Sequence, residues 1–182
     1  MENQKTIVPH TPIQLNGGEY SELKLREFSL GEYILARTAP SPTAEWIKLT
    51  AAVTKWPEKA VEMLGASDFE AVKAFFTSFM QQAEQSEWTE APPEIDLSAP
   101  IKFGDKEFWS LPLREYTVGE KRKSETHSGS HKQWAQLISF VSGWPLPAVE
   151  MLPITKYWMA RDYLEGFTRA GPATGESSES LS

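Results

Sequence analysis

The sequence predicts an α+β fold built from two tandem copies of one small unit, each a β-hairpin followed by three or four α-helices. Three observations carry that prediction. Shifted by 88 residues the chain aligns with itself without a gap, and 21 of the 69 positions from Thr11 to Phe79 are identical to their counterparts, the mark of an internal duplication. Each copy opens on a strand–turn–strand pattern. Each then carries paired helix-start signals and a helical spacing of large apolar residues at matching positions.

In the first copy Ile13 and Leu15 alternate with polar neighbours, and Asn16-Gly17-Gly18 supplies the residues a tight hairpin turn requires. The return strand runs from Tyr20 to Arg26. The second copy repeats this with Ile101, Phe103, a Gly104-Asp105-Lys106 turn and Phe108 to Arg114. Pro112 cannot donate to a ladder, so its strand is expected at an edge or beside a bulge. Ser29-Leu30-Gly31-Glu32 and Thr117-Val118-Gly119-Glu120 both match the S/T-x-x-E capping box that opens a helix. Trp46, Leu49, Val53 and Trp56 then fall on one helical face, as do Trp134, Leu137, Val141 and Trp144. Pro57 and Pro145 suit the first turn of a short helix reaching Met63-Leu64 and Met151-Leu152. A last helix is expected from near Ser67, with Glu70 completing a capping box. It would bury Phe69, Val72, Phe76 and Phe79, matched by Tyr157, Ala160, Leu164 and Phe167.

The organisation expected along the chain is an N-terminal extension over 1–10, with fraying over 1–6, and a first repeat over 11–80. An extended acidic and Pro-containing linker follows over 81–98, with Trp88 free to dock back on a repeat. The second repeat spans 99–169 and a disordered tail 170–182. Whether the two copies pack together is left open, although a core of about 70 residues is marginal alone.

Composition narrows the function classes. Of 182 residues, 40% are hydrophobic and 24% charged, with no Cys, a globular composition that excludes disulfides, thiolate catalysis and Cys-bearing metal sites. No run approaches the roughly 20 apolar residues of a membrane span, and the first twenty residues lack the apolar stretch of a secretory signal. The net charge of −7 argues against a nucleic-acid partner. No phosphate-loop, dinucleotide, zinc-protease or serine-hydrolase motif is present, so no catalytic, cofactor-binding or metal residue is expected. His127 and His131 are spaced i, i+4 but flank Ser128-Gly129-Ser130, which reads as a solvated loop rather than a metal site. Lys121-Arg122-Lys123 reads as a solvated helix face.

Arg26-Glu27 and Arg114-Glu115 stand at the hairpin exit of each copy, either as a charged recognition site or, more simply, as structural pairs. The copies diverge elsewhere. Tyr33-Ile34-Leu35 is replaced by Lys121-Arg122-Lys123, Ser21 by Trp109 and Glu70 by Trp158. Aromatic residues at positions that also tolerate polar ones suggest an interface. Trp109, Trp158, Tyr33 and Ile34, with Arg26 and Arg114, are therefore the candidate partner-binding residues, against the alternative that each covers a local core.

The stretches Leu23-Lys24-Leu25-Arg26-Glu27-Phe28-Ser29-Leu30-Gly31-Glu32 and Leu111-Pro112-Leu113-Arg114-Glu115-Tyr116-Thr117-Val118-Gly119-Glu120, followed by a helix, a Trp-Pro step and a final helix, resemble the Mu-type tail assembly chaperones of long-tailed bacteriophages. Members are usually single-copy, whereas this chain has two. The resemblance implies a non-enzymatic protein of the host cytoplasm, absent from the mature virion. It would bind the tape measure protein and keep it soluble until the tail tube forms, with the tail tube protein or a second copy of the chain as further partners. A structural tail or baseplate component with a duplicated domain is the alternative reading.

Overall fold

The computed structural model describes residues 4–85 and 94–169. The first repeat contains β1 (Gln4–Ile7), β2 (Ile13–Leu15), β3 (Gly18–Tyr20), β4 (Leu23–Arg26), α1 (Leu30–Ala36), α2 (Pro42–Thr54), α3 (Glu58–Glu62) and α4 (Ala66–Gln85). The second contains β5 (Glu94–Phe103), β6 (Lys106–Pro112), α5 (Val118–Ser124), α6 (Ser130–Ser142), α7 (Leu146–Glu150) and α8 (Ile154–Arg169). The expected α+β duplication is what the chain forms.

Both hairpins share one register. Ile13 pairs with Tyr20 and Ile7 with Leu23 in the first repeat, as Ile101 pairs with Phe108 and Ile95 with Leu111 in the second. Asn16 and Gly17 turn the first hairpin with positive φ, and Gly104 does so in the second. In the second repeat the ladder is one long hairpin, irregular between Asp96 and Ile101. In the first the same interruption splits it into two ladders, β1 with β4 and β2 with β3. Among the described residues every strand lies in a two-stranded sheet, so Pro112 sits on an edge, as its missing donor demands.

Residues 4–6, expected to fray, are therefore strand. Three of the four β1 residues are exposed, so apolar alternation could not reveal it. The stretch 81–98, read as a solvated linker, divides in the structure: Gln81–Gln85 continue α4 and Glu94–Ser98 belong to β5, where Ile95 and Leu97 are buried. Trp88 and the tail over 170–182 lie outside the described residues.

Both capping boxes at the starts of α1 and α5 are formed. α2 and α6 each end on a left-handed residue, Lys55 with φ 64° and Gly143 with φ 71°. Trp56 consequently lies beyond its helix and packs edge-on against Tyr20 at 5.2 Å, while Trp144 meets Phe108 at 4.5 Å. Pro57 and Pro145 occupy the N-cap positions of α3 and α7, one residue before the first turn. The Ser67–Glu70 capping box is not formed: α4 starts at Ala66, and Glu70 pairs instead with Lys73 at 2.5 Å. Phe167 is 37% exposed where burial was expected, its ring against Tyr116 and Tyr163. Because Gly143 needs its left-handed backbone, Gly143→Ala is expected to cost about 1 kcal/mol, read as a shift in urea midpoint at unchanged slope. An unchanged midpoint would contradict the assignment.

The two repeats share one core. Phe28, Leu30, Phe76 and Phe79 from the first belong to the same buried cluster as Leu137, Leu152, Ile154, Tyr157 and Leu164 from the second. α4 packs on α8, and α1 on α7 and α8. Uniting the two halves addresses the weakness of a 70-residue core by burying more apolar surface per residue.

Candidate partner-binding surfaces

The repeats meet through backbone as well as side chains. Leu30 N donates to Leu152 O at 2.9 Å, and Ile154 N donates to Phe28 O at 2.9 Å. Both donors are first residues of helices, whose N–H groups have no partner inside the helix. Glu27 Oε1 adds an acceptor for Thr155 N at 2.9 Å and for the Thr155 hydroxyl, placing a carboxylate at the positive end of α8. Gly31 permits this approach. A Cβ there would stand 3.1 Å from Glu150 O.

Tyr33, Trp158 and His131 cluster beside this junction, with Tyr33–His131 centroids 4.9 Å apart, Tyr33–Trp158 6.4 Å and His131–Trp158 5.7 Å. Arg161 stacks over Trp158 at 4.9 Å, a cation–π contact. The Trp158 indole N–H is buried with no acceptor. Ile34 is buried. Three of the six candidate residues thus lie at or beside the contact between repeats: Tyr33, Ile34 and Trp158.

Arg26 and Arg114 are committed in the same way. Each guanidinium forks onto the capping-box carboxylate, Arg26 to Glu32 at 2.6 and 3.0 Å and Arg114 to Glu120 at 2.6 and 3.1 Å. Each also donates to the carbonyl of the following residue. The two-pronged geometry locks strand end to helix start. Burial opposes ionisation of Glu32, but Arg26 and the Ser29 N–H outweigh it and hold its carboxyl below the usual range. Arg114 and the Thr117 N–H bring Glu120 down to about 2. Trp109 stands apart on β6, 60% exposed.

His131 was read as part of a solvated loop. The structure instead puts it in the first turn of α6, half-buried, with Nδ1 2.9 Å from the Tyr157 hydroxyl. Its neighbours Tyr33, Tyr157 and Trp158 come from both repeats, so sequence spacing around residue 131 carried no sign of the setting. Among the described residues no group of three or more His, Cys, Asp or Glu is placed to hold a metal ion.

Burial, followed by the positive charges of Arg161 and Arg37, lowers the His131 pKa from 6.5 to about 4. The folded protein therefore holds fewer protons than the unfolded chain between these values, and stability must fall as pH drops from 6.5 towards 4. Allowing for partial solvent screening, the loss is expected at about 1–2 kcal/mol. Denaturation midpoints measured across that window should slope more steeply in the wild type than in His131→Gln. Equal slopes would contradict it.

The first repeat leaves a groove between its helices. Tyr33, Ala36, Pro42, Trp46, Leu49 and Met80 line it, with the Arg37–Glu45 ion pair of 2.8 Å at its rim. Trp46 stacks parallel to Phe76 at 6.5 Å, which holds its ring in place. In the second repeat the counterpart of Tyr33 is Lys121, whose Nζ sits 4.5 Å over the ring of Trp134, the counterpart of Trp46. The lysine covers there what the first repeat leaves open. This groove was not among the sequence candidates except through Tyr33, because three separate helices supply its walls.

Among the described residues no helix is long and apolar enough to cross a membrane. No curated protein and no solved structure is significantly similar to the chain. The model of one family, described as phage tail assembly chaperone proteins, E, or 41 or 14, matches it twice, over residues 6–81 and 94–169. The two matches are offset by the same 88 residues as the internal repeat and together span most of the sequence, so the chain belongs to this phage tail assembly chaperone family in a tandemly duplicated form.

Proposed function

We infer that the chain binds the tape measure protein during tail assembly and keeps it soluble until the tail tube forms around it. The observation that carries this reading is the groove of the first repeat. It offers apolar walls from Tyr33, Trp46, Leu49 and Met80 with an ion pair at the rim, the arrangement that accepts the apolar face of an amphipathic helix. A long helical partner presents many such faces in succession. Trp109 provides a second open aromatic surface, 60% exposed on β6, suited to anchor a partner. The binding needs apolar area and shape rather than reactive groups, in keeping with a family of assembly chaperones. Such a protein acts in the cytoplasm of the infected host and is left out of the finished particle.

Co-expression with the tape measure protein is the test. The wild-type chain should move an otherwise insoluble tape measure protein into a soluble complex that co-purifies. Met80→Arg in the groove should reduce recovered complex about tenfold, and Trp109→Ser should reduce it while leaving the thermal midpoint nearly unchanged, since an exposed ring contributes little to folding. Solubility that does not respond to the chaperone would remove the reading. Mass spectrometry of purified virions should find the tape measure protein without this chain.

A further inference from the structure

Three rings meet at the seam between the repeats, and each is present in one copy only. Tyr33 of the first repeat packs edge-to-face against His131 and Trp158 of the second, with centroids 4.9 and 6.4 Å away. The positions 88 residues away hold Lys121 for Tyr33, Thr43 for His131 and Glu70 for Trp158. The matching residues of the duplication therefore cannot build an equivalent cluster.

Tyr33 is also a wall of the groove, whereas His131 and Trp158 are not. Both of these are anchored within the second repeat. His131 Nδ1 lies 2.9 Å from the hydroxyl of Tyr157, itself 0% exposed. Trp158 carries Arg161 over its ring at 4.9 Å, and Arg161 Nε donates to Glu165 Oε1 at 2.5 Å. The helix that bears Tyr33, α1, is tied to the second repeat one turn earlier, where Leu30 N donates to Leu152 O. Seating Trp158 here has a cost, because its buried indole N–H has no acceptor among the described residues. Such breaks of a local rule are expected where a side chain serves function. At the matching surface of the second repeat, Lys121 Nζ lies 4.5 Å over Trp134, and Ser130 and Thr168 replace Pro42 and Met80.

We propose, on the reading of the groove given above, that the second repeat acts as its brace: His131 and Trp158 are positioning residues that fix the Tyr33 ring where the partner helix meets it. Ordering a wall in advance raises affinity without adding a contact, because less freedom is lost on binding. One copy presents the groove and the other holds it in shape.

The methyl NMR signal of Met80, which shares the groove with Tyr33, reads that wall in the full chain with no partner present. Trp158→Leu and His131→Thr should each shift or broaden it, while the exposed Met63 and Met151 keep their signals. In co-expression with the tape measure protein, Trp158→Leu should lower recovered complex about threefold or more. Trp158→Phe keeps an aromatic edge and should restore most of the loss. Added to Tyr33→Ala, Trp158→Leu should cause no further loss, because its effect passes through that ring. The same cycle run with His131→Thr, a milder change, decides the matter should Trp158→Leu fail to fold. A Met80 signal and a complex yield that do not respond, or a loss that adds to that of Tyr33→Ala, would overturn the proposal, since a ring that merely joins the repeats predicts both. A chain that shows the Met80 change yet binds no tape measure protein would remove the function inferred above and leave the brace standing.

Discussion

Replacing Phe28 with Ala is expected to destabilise the whole chain by about 3–5 kcal/mol, the usual loss for a fully buried aromatic ring. Phe28 is 0% exposed and meets Phe76 edge-on at 5.6 Å and Phe79 at 6.5 Å. It stands where the hairpin hands over to α1, and its carbonyl receives Ile154 N from the second repeat. A cavity at this point therefore undermines the packing of one repeat and its seam with the other. Urea unfolding followed by tryptophan fluorescence and by circular dichroism should give coincident transitions in wild type and variant. A loss below about 1 kcal/mol, or two separated transitions, would contradict a shared core.

Gly31→Leu is expected to cost about 1–3 kcal/mol by overpacking, and Gly119→Leu to be neutral or slightly stabilising. The two glycines occupy the same place in the two capping boxes, so local helix physics is the same for both. They differ in what lies opposite. A Cβ on Gly31 would stand 3.1 Å from the carbonyl oxygen of Glu150 and 3.4 Å from its Cβ, whereas one on Gly119 approaches only Thr117 Oγ1, at 3.8 Å. A longer side chain at 31 must push α1 away from α7 or distort its own turn. At 119 the substitution relieves glycine's helix penalty. Thermal melts of the two variants against the wild type give the comparison. Equal effects at both sites would show that the repeats do not approach as described.

The placement of Arg26 and Arg114 illustrates how far pattern alone reaches. The sequence reading set Arg26 beside Glu27 and Arg114 beside Glu115, whereas in the structure each arginine forks onto the capping-box glutamate six residues on. Charge there ties strand to helix. The divergent positions were less transparent. A site that accepts Glu70 in one copy and Trp158 in the other was read as an interface, with cover of a local core as the alternative. The structure lays the tryptophan against Tyr33 of the first repeat, while Glu70 is exposed and pairs with Lys73.

Comparison of the chain with itself determined the duplication, and local signals determined the hairpin turns, both capping boxes and most of the buried helical faces, because each of these depends on residues within a turn or two of one another. The tertiary structure alone decided that β1 pairs with β4, that His131 is half-buried, and that the first repeat keeps a groove which Lys121 covers in the second. Those features depend on contacts between segments far apart in the chain, and a two-fold duplicated sequence holds no trace of which copy's edge will dock and which will stay open. That asymmetry arises only when the linked copies choose one relative placement, since each edge can be occupied once.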